Sequence, residues 1–140
     1  MREQYPAESA VAPPATHRPS PLQPADARRA VRGEIARHAV ALGATGLEDA
    51  LLVTSELATN AILHGGGITG FDVDVEAGAV RVSVSDPSDE VPVVERAVDE
   101  RHRWRVGGRG WPIVCRLARD VEVAGLPTGG KRISAVVPLA

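Results

Sequence analysis

The 140-residue sequence contains a single cysteine and a single lysine. With one thiol, Cys115, neither an intrachain disulfide nor a cysteine metal cluster can form within the chain. Cys115 lies in the apolar stretch WPIVCRLA, which predicts an inert, buried thiol. The one lysine, Lys131, stands beside 15 arginines, so its position in the fold is of interest.

Long apolar runs and an excess of one charge are also missing. No apolar stretch approaches the roughly 20 residues that span a bilayer. The N-terminus lacks the apolar segment of a signal peptide. The net charge is −2 with acids and bases interspersed, which favours neither a nucleic-acid surface nor a polybasic membrane patch. We therefore expect a cytoplasmic protein that binds neither nucleic acid nor membranes directly.

The sequence predicts one domain that follows a flexible tail. Residues 1–24 are rich in proline, alanine and polar residues and show no hydrophobic period, which is typical of a flexible segment. Residues 25–140 alternate between helical and strand periods. The predicted helices are 27–42, with Asp26 as its N-cap, 47–64, which the glycines after His64 end, and 110–120. The predicted strands are 71–77, 79–86, 121–125 and 131–139, with a hairpin turn at Ala77-Gly78. This order predicts an α+β fold in which helices pack on one face of a mixed, mostly antiparallel sheet.

The second predicted helix carries Glu56, Asn60 and His64 at four-residue spacing, opposite its main apolar face. Three aliphatic residues are predicted on the same side: Leu52, Val53 and Leu63. An apolar wall with a few placed polar groups is typical of a binding pocket, although an ordinary exposed helix face has the same polar spacing. Glutamate offers a base, and asparagine offers an oxygen ligand that suits Mg²⁺.

Three turns add further polar candidates. Asp86 ends the strand VSVSD, where a carboxylate either contacts a ligand or closes a turn. The glycine-rich segment 107–110 precedes a helix, an arrangement that suits phosphate but is also found in ordinary loops. The irregular stretch 87–109 is typical of a functional lid or a disordered loop. The segment 128–131 is consistent with a plain hairpin turn.

In this order, the motifs between about residue 25 and residue 140 resemble the GHKL, or Bergerat-fold, ATP-binding domains. Within them, the chain is most similar to the bacterial anti-sigma-factor serine/threonine kinases. ELATNAILHG resembles the N-box, VSVSD the first glycine box, GGRGWPIVCRLARDVEV the second and GGKRISAVVPL the terminal box. The resemblance implies a Bergerat-type two-layer sandwich with an ATP lid at 87–107, and ATP and Mg²⁺ as cofactors.

The resemblance also implies a role for each motif residue. Glu56 would be the general base, Asn60 would hold Mg²⁺, and Asp86 would accept a hydrogen bond from the adenine amino group. The second glycine box would wrap the phosphates, and the terminal box would complete the nucleotide site. The residues of these two boxes implied in cofactor binding are Gly108, Arg109, Gly110 and Lys131. His64 would either contact phosphate or end the helix.

Two positions depart from the family pattern and leave two functions open. Pro87-Ser88 follows Asp86 where glycines are usual, and Lys131 stands where the terminal box often has threonine. The first function is a kinase that phosphorylates an anti-sigma-factor antagonist, sequesters a sigma factor, or does both. The alternative is a non-catalytic nucleotide-binding module that docks a partner. Family members are often dimers, which leaves a homodimer open.

Two further hypotheses have weaker support in the sequence. A metal-dependent hydrolase could use Glu56, His64 and His102, but the sequence offers no further strong ligand. A detached catalytic half of a histidine kinase would need a dimerisation helix with a phosphoacceptor histidine. The first predicted helix, which contains His38, is short for that role.

Overall fold

In a computed structural model, the described residues are 23–38, 46–91 and 110–139. Most of the predicted tail, and the predicted lid beyond residue 91, lie outside these ranges. No helix within them is both long enough and apolar enough to cross a membrane. The helices are α1 (Pro24–Arg37), α2 (Gly46–His64) and α3 (Gly110–Leu117), and the strands are β1 (Gly70–Glu76), β2 (Ala79–Asp86), β3 (Asp120–Gly125) and β4 (Lys131–Pro138).

The four strands form one sheet in the order β1-β2-β4-β3, and each neighbouring pair is antiparallel. The predicted hairpin turn between β1 and β2 has left-handed backbone at Ala77 (φ 52°) and Gly78 (φ 75°), as a two-residue type I′ turn requires. β2 and β4 are not consecutive, and their pairing places Asp86 directly opposite Lys131. The predicted α+β class is confirmed, and all strand pairs in the described residues are antiparallel.

The core lies between one face of this sheet and the three helices. α2 is the central helix, because it packs against α1, α3 and the two middle strands. Its fully buried Leu57 belongs to the same apolar cluster as Val80, Val82 and Val137 on the sheet. Burying one such side chain contributes roughly 1.5–3 kcal/mol, so the α2–sheet interface stabilises the fold.

α1 begins and ends earlier than the sequence predicts. It starts at Pro24, in the first turn where a missing N–H does no harm, and its N-cap Gln23 makes no side-chain cap. Asp26, the expected cap, lies within the first turn. The helix ends at Arg37, and the ring Nδ1 of His38 lies 2.9 Å from the carbonyl oxygen of Glu34. The predicted continuation is therefore wrong at residue 38, and residues 39–45 lie outside the described ranges.

α3 differs from its prediction in length and in which side is buried. It ends at Leu117 because the Arg119 N–H donates to the carbonyl of Val136 (2.7 Å), which draws the chain into the sheet. Val114 faces the core, whereas Cys115, rotated by about 100° along the helix, is exposed. The predicted burial of Cys115 is thus wrong. Partial desolvation still raises the pKa of its thiol.

Candidate functional site

The outward side of α2 carries the predicted polar row. Glu56 and Asn60 are half-buried, and His64, the last residue of the helix, is exposed. Two large apolar side chains share this side, Leu52 at 42 % exposure and Leu63 at 64 %. The row therefore consists of two partly covered polar groups beside accessible leucines, at the surface of the described part of the chain.

The buried arc of α2 is rotated relative to the helical wheel expected from the sequence. Val53, expected beside the polar row, is fully buried, and Ile62, which the helical spacing places on the opposite face, is 36 % exposed. Thr54 is also fully buried, and its hydroxyl donates to the carbonyl of Ala50 (2.7 Å), which satisfies its polar atom. α1 packs against α2 as well, and Arg28 donates a hydrogen bond to Ser55 (3.0 Å) between the two helices.

The second part of the site lies where β2 ends and β4 begins. Asp86 and Lys131 are directly opposite each other on neighbouring strands, and their side chains point towards the helices, like Val84 and Ile133 two residues away. Lys131 Nζ lies 3.0 Å from Asp86 Oδ1. Asp86 is only 2 % exposed and Lys131 only 4 %. The lone lysine of the chain thus forms a buried ion pair with the predicted base-recognition carboxylate.

Backbone groups reinforce this ion pair. The Ser88 N–H donates to Asp86 Oδ1 (2.8 Å), which closes an Asx turn. Lys131 Nζ also lies 3.5 Å from the carbonyl oxygen of Ser88. The Gly130 N–H donates to Asp89 Oδ1 (3.0 Å) across the same gap. Asp86 therefore has the turn-forming role that the sequence also left open.

Two glycines hold the chain tightly around the ion pair. A Cβ atom at Gly65, the residue after α2, would overlap the carboxyl group of Asp86. A Cβ atom at Gly130, which has φ +86°, would overlap the carbonyl oxygen of Asp86. The end of α2 therefore contacts the Asp86–Lys131 pair directly, so one helix joins the Glu56–Asn60 row to the strand-end pair.

Other predicted site residues are described only in part or not at all. Gly108 and Arg109 lie outside the described ranges, and Gly110 is the first residue of α3. His102, considered for the metal-dependent hydrolase, also lies outside them. Within the described residues, no group of three or more His, Cys, Asp or Glu side chains could hold a metal ion.

Sequence reasoning missed the direct contact between Asp86 and Lys131. The two residues are separated by 45 positions in the chain, and their strands are not consecutive. One signal was present, since a single lysine among 15 arginines follows two glycines at the start of a strand. That signal indicates that the Lys131 ammonium has a distinct role, but it does not identify Asp86 as its partner.

Comparison with known proteins identifies a family for most of the chain. The histidine kinase-like ATPase domain family matches residues 19–136. The histidine kinase domain of the blue-light activated histidine kinase from Erythrobacter litoralis EL346 is 23 % identical in sequence, with a TM-score of 0.43. That match covers 67 % of this chain and 45 % of the kinase-domain chain, less than half of its length. No curated protein matches significantly. From the extent of the family match, the chain belongs to the histidine kinase-like ATPase domain family.

Proposed function

We propose that this chain is an ATP-binding regulatory protein of the anti-sigma-factor kinase type. It phosphorylates a serine or threonine of an anti-sigma-factor antagonist, sequesters a sigma factor, or does both, in the cytoplasm. Family membership supports the ATP-binding and kinase-like part of this proposal. The observation that carries it is the pair of half-buried polar side chains, Glu56 and Asn60, one helical turn apart on the outward side of α2.

The chemistry of this pair fits the phosphate end of Mg-ATP. An amide oxygen and a carboxylate are both hard oxygen ligands, which Mg²⁺ prefers. Mg²⁺ usually keeps several bound waters and takes its remaining ligands from substrate phosphates. Bound Mg-ATP would supply the phosphoryl group and most of the charge neutralisation that its transfer requires. Asn60 would hold the metal through its side-chain oxygen.

Glu56 is suited to act on the protein substrate. A half-buried carboxylate on an accessible helix face can take the proton of an incoming serine or threonine hydroxyl. General bases of this kind contribute about 10²–10⁴-fold to rate. Leu52 and Leu63, exposed on the same side, provide apolar surface next to that carboxylate.

The decisive experiment replaces Glu56 by glutamine and follows phosphate transfer from Mg-ATP to candidate antagonist proteins. We expect Glu56→Gln to lower the transfer rate by about 10²-fold or more, because it removes the base and leaves the shape of the side chain. Nucleotide affinity should change little. The readout is radiolabel incorporation, together with titration calorimetry of ATP.

Glu48→Gln is the matched control, since Glu48 is an exposed acid in the first turn of the same helix. We expect transfer by this variant at the wild-type rate. Equal transfer by the wild type and Glu56→Gln would remove the assigned role of Glu56. Unchanged Mg-ATP affinity in Asn60→Ala would remove that of Asn60.

The Asp86–Lys131 pair supports a second candidate, a non-catalytic module that docks a regulatory partner. The carboxylate that would recognise adenine is already neutralised by a buried ammonium at 3.0 Å. A protein with this arrangement can bind partners without turnover of nucleotide. Calorimetry with ATP and ADP, combined with the transfer assay, separates the two candidates: partner binding that is independent of nucleotide, with no transfer, favours the docking module.

A further inference from the structure

We propose that Lys131 is an internal ligand of Asp86 that determines how well this domain accepts an adenine base. The inference rests on the proposed function, in which Asp86 accepts the hydrogen bond of the adenine amino group. In the structure, the Lys131 ammonium holds that position on the carboxylate. Lys131 is thus a specificity-determining residue that lowers the affinity for adenine nucleotides.

The first argument is that Asp86 Oδ1 already has two donors. The Ser88 N–H lies at 2.8 Å and Lys131 Nζ at 3.0 Å. Among the described residues, both contacts fall on Oδ1, and the other carboxylate oxygen faces Gly65. An incoming amino group must therefore displace the ammonium, or approach from the side that the end of α2 covers.

The second argument is the difference in charge between the two competing donors. The lysine ammonium is a cation, so its hydrogen bond to the carboxylate also carries the attraction between two opposite charges. The exocyclic amino group of adenine is neutral. Burial strengthens this difference. Water screens an ion pair, and Asp86 and Lys131 are almost fully removed from water. The neutral ligand is at a disadvantage for the same oxygen.

The third argument is that the lysine is held in place from two sides. Its backbone pairs directly opposite Asp86, and a second acceptor, the carbonyl oxygen of Ser88, lies 3.5 Å from Nζ. Gly130, the residue that precedes Lys131, packs against the backbone of Asp86. The ammonium is therefore held close to the Asp86 carboxylate, which raises its effective concentration there.

Titration calorimetry of Mg-ATP with the wild type and Lys131→Met tests the proposal. We expect Lys131→Met to bind ATP about tenfold more tightly or better, since a charge-assisted competitor has been removed. The matched control is Arg81→Met, which removes a cation from an exposed ion pair with Glu76 on the other face of the same sheet. It should bind ATP like the wild type. Equal or weaker ATP binding by folded Lys131→Met would overturn the proposal.

A second measurement needs neither a nucleotide nor that variant to fold. Because the chain has one lysine, ¹⁵N-lysine labelling gives one side-chain ammonium signal. In the wild type, we expect the ammonium to be protected from exchange with solvent. In Asp86→Asn, we expect that protection to be lost. An ammonium that exchanges and is acylated as fast as a free lysine in the wild type would overturn the proposal.

The two proposals fail separately. Tight ATP binding by Lys131→Met without phosphate transfer to any antagonist supports the role of Lys131 and removes the kinase. Transfer by the wild type, with no gain in affinity for Lys131→Met, supports the kinase and removes the role of Lys131.

Discussion

Asp86 makes two structural contacts through one carboxylate oxygen. Its carboxylate forms the turn with the Ser88 N–H and the ion pair with Lys131. Removing one partner of a buried ion pair typically costs about 3–5 kcal/mol, because the remaining charge stays buried without compensation. Substitutions at either residue must therefore be checked by thermal unfolding before their ligand affinities are compared.

Cys115 offers a prediction about pH, because it is the only thiol in the chain. Partial desolvation raises the pKa of this thiol above its ordinary value. A raised pKa leaves less thiolate at any given pH, and the thiolate is the form that reacts. We expect alkylation of the folded protein by iodoacetamide to be slower than that of a free thiol near pH 8. Its rate midpoint should lie at higher pH.

The same chain unfolded in urea is the internal control for Cys115, since its thiol then has an ordinary environment. The rate profile of the unfolded chain should lie at lower pH than that of the folded protein. Coincident profiles would contradict the assigned desolvation. Mass spectrometry after timed quenching gives both curves.

The contact between α2 and the sheet is tightest at Gly65. Because a Cβ atom there would overlap the Asp86 carboxyl group, Gly65→Ala must displace either the helix end or the ion pair. Overpacking of this kind typically costs about 1–3 kcal/mol, and we expect a loss of that size in the free energy of unfolding. Chemical denaturation of the variant and the wild type measures it.

Gly33→Ala provides the opposite expectation with the same chemical change. Gly33 is an exposed position inside α1, and a Cβ atom there meets nothing within 4 Å. Alanine favours helix over glycine by about 0.8–1.0 kcal/mol. We therefore expect Gly33→Ala to stabilise the protein while Gly65→Ala destabilises it. A Gly65→Ala variant as stable as the wild type would contradict the close approach of α2 to Asp86, and destabilisation by Gly33→Ala would contradict the open space around Gly33.

Helices and strands were predictable where local rules decide them. The hairpin was predictable because Gly78 accepts a left-handed conformation without steric cost between two strand-period segments, and the observed φ angle of Gly78 agrees. The end of α2 followed from the glycines after His64. The beginning of α1 was missed because Asp26 resembles a cap, whereas Pro24 starts the helix without one. The end of α3 depended on a hydrogen bond to β4, which no local pattern contains.

The candidate site was predictable only in its local parts. The spacing of Glu56 and Asn60 identified the polar side of α2, and Asp86 was placed at a strand end, where the structure has it. The burial of Val53 was not foreseen, because it depends on tertiary packing around α2, which the spacing of residues within one helix does not contain. The contact between Asp86 and Lys131 depends on the pairing of non-consecutive strands, and such long-range pairing is not encoded in neighbouring residues.

Leu139 ties together parts of the molecule that are distant in sequence. It is fully buried, its N–H donates to the carbonyl of Gly78 at the hairpin turn (2.9 Å), and its backbone packs against Gly46 at the start of α2. Leu139, which follows β4, therefore connects the start of α2 with the turn between β1 and β2.

Leu139→Ala should destabilise the whole domain. Leucine-to-alanine changes in a packed core cost about 2–5 kcal/mol, so we expect a loss in that range by urea denaturation. Leu63→Ala is the matched control, because that leucine is 64 % exposed, and its stability should change by roughly 0.5 kcal/mol or less. Similar losses for both variants would contradict the burial assigned to Leu139.

The charges on β1 and β3 bear on how copies of this protein meet. In the described part of the chain these strands are the two outer strands of the sheet. Asp72, Asp74 and Glu76 lie on β1, and Asp120 and Glu122 lie on β3. Pairing two copies along these edge strands would bring negatively charged carboxylates together, and their repulsion opposes strand-to-strand polymerisation. The protein should stay dispersed at low ionic strength, and added salt should weaken this protection.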